Sequence, residues 1–114
     1  MKLPVYSVIF LSPWLAAMPL SAQDSGDPQH GLALVRQVCS ECHAFQAGQL
    51  RSPNPKAPTF LELATTPGMT STALTVALTT PHAGMPMFRL TSEQRADIIA
   101  YILGLRRSGS PPGR

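Results

Sequence analysis

Residues 39–43 read Cys-Ser-Glu-Cys-His, and that spacing carries a specific chemistry. Two thiols separated by two residues can each add to one vinyl group of a haem from a single turn of backbone, and the adjacent histidine is then directed at the iron. Cys39 and Cys42 are the only cysteines in the chain, so both are committed to this pattern. His43 offers an imidazole nitrogen, a standard axial ligand. Other uses of the same residues are weaker. A thioredoxin-like pair expects a βαβ setting, and the flanking sequence has no strand-rich pattern. A plain disulfide would need only an oxidising compartment. A zinc site needs two further ligands, and His30 and His82 lack the spacing.

An iron held by one imidazole needs a sixth ligand for low-spin electron transfer. Met85-Pro86-Met87 follows a loop late in the chain. A thioether stabilises ferrous iron and raises the potential, and Pro86 fixes the backbone beside Met85. Met85 is therefore the expected ligand. Met87 competes, with gap-filling core as its other use. His82 would give a bis-histidine site, or would simply stand at the haem edge.

These residues need elements to carry them. Asp27-Pro28 signals a helix start, with Asp as N-cap and Pro at the first position. Gly31, Leu34, Val35 and Val38 follow at helical spacing, which predicts a helix to about Cys39 with Gly31, Val35 and Cys39 on one face. Gly31 inside that helix costs about 1 kcal/mol relative to Ala and predicts a close neighbour, unless it is simply tolerated near the helix start. Residues 44–56 contain Gly48, Pro53 and Pro55 and read as a loop. A short helix is expected over 57–64, with Phe60, Leu61 and Ala64 apolar. Another is expected over 71–78, capped by Thr70 or Ser71, with Leu74 and Leu78 inward. Thr91-Ser92-Glu93-Gln94 is a capping box, and the helix it opens should reach about Arg107. Ile98, Ile99, Ile102 and Leu105 line its inner face, with Tyr101 beside them. Arg106 and Arg107 fall at the negative end of its dipole.

The ends of the chain are different in character. Residues 3–20 carry no charge, are mostly apolar, and are interrupted at Pro4 and Pro13, with Lys2 before them and Ser21-Ala22 after. This reads as a signal peptide over residues 1–22, with an uncleaved membrane anchor as the alternative. Cleavage would lower the formal charge from +3 to +2 by removing Lys2. The mature domain then spans 23–107, and 108–114 is a flexible Pro/Gly/Ser tail. Charged residues make up only 13% and the basic ones never cluster beyond Arg106-Arg107, which excludes a nucleic-acid stripe. The mild positive charge fits weak, salt-sensitive docking to an acidic partner.

Together the motifs C-x-x-C-H at 39–43, A-P-T-F at 57–60, M-P at 85–86 and D-I-I-A-Y-I-L-G-L from Asp97 resemble a bacterial class I cytochrome c of the short, single-haem type, over about residues 27–107. The early haem motif and late Met separate it from the four-helix-bundle cytochromes. The resemblance implies an all-α domain of three to four helices wrapped around one haem c, bound covalently through Cys39 and Cys42. It implies attachment after export, hence a periplasmic location. It pairs Gly31 and Val35 with Ile98 and Tyr101 across the terminal helices. It makes the carbonyl of Pro58 the acceptor for the ligand histidine's other ring nitrogen, with Pro53 and Pro55 still open. Trp14 is the only tryptophan and lies in the leader, so the propionates must use other groups; Arg51 and Arg89 are the nearest guesses.

The implied function is one-electron transfer without substrate chemistry. The carrier would dock transiently with a dehydrogenase or reductase and an oxidase, through an exposed haem edge. A dedicated cytochrome subunit of a larger oxidoreductase, and a haem enzyme or ligand sensor with an open iron site, are the rival readings.

Overall fold

The computed structural model describes residues 1–4 and 26–109. The leader reading falls almost wholly outside them, as do residues 110–114. Five helical segments follow one another: α1 (Pro28–Val38), α2 (Phe60–Thr65), α3 (Ser71–Thr79), α4 (Ser92–Gly104) and α5 (Arg106–Gly109). Among the described residues the β-type pairing is an isolated bridge between His82 and Met85. The all-α expectation holds, with four helices and a single added turn among the described residues.

Local sequence explains most helix ends. The Asp27 carboxylate accepts from the amides of Gln29 (2.8 Å) and His30 (3.3 Å), satisfying two of the first-turn donors that a helix leaves unpaired. Thr70 accepts from Ala73 N–H at 3.1 Å and opens α3. Thr91 and Gln94 complete the expected capping box.

Two boundaries differ from expectation. α2 starts at Phe60 rather than 57, because a second capping box sets its N-terminus. Thr59 Oγ1 accepts from Glu62 N–H (3.1 Å), and the Glu62 carboxylate accepts from Thr59 N–H (2.7 Å). Pro58 is thereby left outside the helix with its carbonyl available. α4 ends at Gly104 rather than near Arg107. There the Leu105 amide bonds Ile102 O at 3.1 Å, a tightened last turn, and the chain restarts as α5. Arg106 therefore does not cap its own helix. Its Nε donates to Ala64 O at 2.8 Å and its Nη2 donates to Met69 O, so it serves the carbonyl end of α2 and the turn beyond.

α1 and α4 make the main helix–helix contact. A β-carbon on Gly31 would stand 2.0 Å from Asp97 O, and one on Gly26 would stand 2.1 Å from Ala96 O. Two glycines thus let the backbones meet. The crossing is locked by a hydrogen bond of 2.6 Å from Asp27 N–H to the buried Asp97 carboxylate. The core below it comprises Val35, Cys39, Phe60, Ala64, Leu74, Ile98, Ile99, Ile102 and Leu105. Each of the four main helices contributes to it.

Candidate functional site

The segment after α1 stays wound for one more turn. Cys39 N–H bonds Val35 O (2.9 Å), and Cys39 O accepts from both Cys42 N–H (3.2 Å) and His43 N–H (3.0 Å). Cys39, Cys42 and His43 therefore stand at i, i+3 and i+4, positions that share one face of a helical turn. All three line the same cavity.

Pro58 stands just before α2, beside the histidine. Its carbonyl lies 2.7 Å from His43 Nδ1. A carbonyl only accepts, so in the neutral ring Nδ1 carries the proton and Nε2 keeps its lone pair. That is the arrangement in which an imidazole binds a metal, its orientation fixed by the other nitrogen. A second bond, Phe60 N–H to Ala44 O at 2.9 Å, ties the same two segments together. The Phe60 ring meets the imidazole with centroids 5.2 Å apart.

The cavity holds about 380 Å³, within the roughly 300–1,000 Å³ of small-molecule and cofactor sites. Its walls are mainly apolar. Leu63, Met69 and Phe60 come from the α2 region, Ala73, Leu74, Ala77 and Leu78 from α3, and Ile98 and Ile102 from α4. His82, Met85 and Phe88 come from the loop that precedes α4. Met85 lines the cavity. Met87 does not, and is 51% exposed. Asn54 and Lys56 stand on the wall, whereas Arg51 and Arg89 do not.

Cys39 is 8% exposed, and burial pushes its thiol up to about 11. A thiol that stays protonated in apolar surroundings is a poor redox nucleophile. No disulfide joins Cys39 to Cys42. Among the described residues no three His, Cys, Asp or Glu side chains gather as a metal cluster, so zinc finds no all-protein ligand set here. The donors present, two thiols, one oriented imidazole and one thioether around an apolar cavity, fit an iron porphyrin.

Sequence reading missed the small-residue face of α3. Ala73 and Ala77, four apart, bring that helix close to the cavity, and their i, i+4 spacing was available to find. It also missed the pairing of His82 with Met85. The His82 Nε2 atom lies 3.1 Å from Met85 Sδ. Ala83 and Gly84 form the turn between them, with Gly84 at φ +82, the left-handed region a type II turn demands.

Residues 26–102 match the family described as cytochrome c oxidase, cbb3-type, subunit III. The chain is also 35% identical over 82 residues to cytochrome c-552 of Bradyrhizobium diazoefficiens, covering 72% of this chain and 78% of that protein. No solved structure matches it significantly.

Proposed function

The chain belongs to the c-type cytochromes, and from that premise we propose that it is an exported, single-haem electron carrier of the periplasm. Membership implies a covalent haem c and electron transfer as the work. Bound haem supplies a one-electron couple between ferric and ferrous iron. Cys39 and Cys42 would hold the ring as thioethers. His43 would give Nε2 to the iron, with Pro58 fixing the imidazole through Nδ1. Met85 would give the iron its sulfur.

The observation that carries this reading is the convergence of Cys39, Cys42, His43 and Met85 on one apolar cavity. Apolar walls exclude water, so little solvent reorganises when the charge on the iron changes. With His43 and Met85 both bound to it, the iron would have no place for a substrate. Lys56 beside the cavity and the modest positive charge of the chain suit short-lived docking to an acidic redox partner, a dehydrogenase or reductase on one side and an oxidase on the other.

The test is the visible and near-infrared spectrum of the purified holoprotein. The ferric wild type should show the weak methionine-to-iron charge-transfer band, and Met85→Ala should lose it. A band that survives the substitution rejects Met85 as the ligand.

A second reading, a dedicated subunit of an oxidoreductase complex, draws on the oxidase-subunit description of the matching family. No helix among the described residues is long and apolar enough to cross a membrane. Stable co-purification with a membrane oxidase would favour the subunit. Recovery as a separate protein from the periplasmic fraction would favour the carrier.

A further inference from the structure

The two histidines at the cavity share an unusual preparation. His43 Nδ1 lies 2.7 Å from the carbonyl of Pro58, and His82 Nδ1 lies 3.2 Å from the carbonyl of Thr80. Each carbonyl can only accept, so a proton on Nδ1 finds a partner in both rings; in His82 the Met85 sulfur, also only an acceptor, stands ready for a proton on Nε2 instead. Metal-bound histidines generally donate from their second nitrogen to an acceptor such as these carbonyls. His82 thus has the supporting hydrogen bond of a ligand, although the iron position belongs to Met85 in the proposed carrier.

The Nε2 atom of His82 also stands at the relevant place. It is 3.1 Å from Met85 Sδ, and both residues line the cavity. The loop fixes this meeting through its backbone. His82 and Met85 form a bridge, with Met85 N–H to His82 O at 3.4 Å, around a turn whose Gly84 has φ +82. Two donors of different softness are therefore held side by side on one turn.

We infer that His82 is a reserve axial ligand, placed to take the iron through Nε2 whenever the Met85 sulfur leaves it. This rests on the haem reading of the cavity and on Met85 as the resident ligand. In the exchange one iron–sulfur bond breaks and one iron–nitrogen bond forms. No electron is transferred, and the neutral ring keeps its one proton, which ends on Nδ1 facing the Thr80 carbonyl and leaves Nε2 free to bind. The incoming donor starts about 3.1 Å from the outgoing one, so the turn need not unfold. Imidazole is the harder donor and thioether the softer, so the exchange favours His82 in the ferric state and Met85 in the ferrous state. The iron would then stay six-coordinate and closed to small ligands when Met85 is displaced.

The test compares holoprotein of wild type, Met85→Ala, His82→Ala and the double variant, by electron paramagnetic resonance, visible spectra and carbon monoxide titration. Met85→Ala should be low-spin with two nitrogen ligands and should resist carbon monoxide. The double variant should be high-spin and bind it at least about tenfold more tightly, since a site occupied nine-tenths of the time loses that factor in apparent affinity. A Met85→Ala protein as high-spin and as open to carbon monoxide as the double variant overturns the inference while leaving Met85 as the ligand. Persistence of the methionine band in Met85→Ala, or a colourless holoprotein preparation, overturns the iron-site reading and this inference with it. A second measurement needs no change at Met85. Mild guanidinium should abolish the methionine band of ferric wild type while it stays low-spin, and should turn ferric His82→Ala high-spin. Identical behaviour of the two proteins would count against His82.

Discussion

The main-chain oxygen of Asp97 stands 2.0 Å from the position a β-carbon would take on Gly31. Ordinary carbon–oxygen contacts fall near 3.3 Å or beyond, so the approach of α1 to α4 exists only because residue 31 has no side chain. The obstacle is backbone, and no change of rotamer relieves it. The same face of α1 continues through Val35 to Cys39. The glycine contact thereby sets where Cys39 stands.

Gly31→Ala should therefore destabilise the holoprotein. Overpacking costs about 1–3 kcal/mol, sometimes more, while alanine returns about 1 kcal/mol of helix propensity. A backbone clash belongs at the upper end, which leaves a net loss of about 2 kcal/mol. In a domain of this size that lowers the melting temperature by about 4–8 °C per kcal/mol. A β-carbon added at Gly48 would meet nothing within 4 Å, so Gly48→Ala should stay within about 0.5 kcal/mol of wild type. Equal melting temperatures for the two variants would refute the close approach.

Tyr101 gives the alkaline limb of stability a specific source. Its hydroxyl donates to Phe45 O at 2.6 Å, joining α4 to the loop after the haem motif. Burial raises its pKa from 10.0, with Arg36 pulling the other way. Below pH 10 the hydroxyl is protonated in both states and its contribution is complete. Above that, the unfolded chain releases the proton while the folded one retains it, so stability falls as pH rises. Tyr101→Phe should cost about 1 kcal/mol at pH 7, and the gap to wild type should narrow above pH 10. Denaturant titrations of both proteins from pH 7 to 11 measure this. A gap that widens with pH would contradict it.

Much of the site was legible because its signals are local. Cys39, Cys42 and His43 lie within one turn, and the caps at Asp27 and Thr91 are read within three residues. The start of α2 was equally local, since Thr59 and Glu62 spell a capping box, but Pro58 offered a competing start two residues earlier. What sequence order hides is the long-range partner. Arg106 is 42 residues from Ala64 and 37 from Met69, and Tyr101 is 56 from Phe45. The meeting of His82 with Met85 depends on a turn whose geometry only Gly84 hints at. Two of the three candidates for the sixth ligand, Met85 and His82, are neighbours at one point in space.

The core is shared with the cavity, and this makes folding depend on the cofactor. Of the nine buried residues in the central cluster, Cys39, Phe60, Leu74, Ile98 and Ile102 also line the cavity. More than half of the cluster therefore completes its packing against whatever fills that space. A ligand that binds only the folded chain stabilises it by mass action, and a domain this small has little core to spare. The Cys39→Ala/Cys42→Ala variant should accordingly melt without a cooperative transition and bind a hydrophobic dye while keeping partial helicity. Cys39→Ala also trims a buried side chain, so wild-type chain produced without haem maturation is the necessary companion, with both thiols intact. Both preparations should behave alike. A sharp thermal transition in the unmatured wild type would show that the helices close on their own and that the haem is only a passenger.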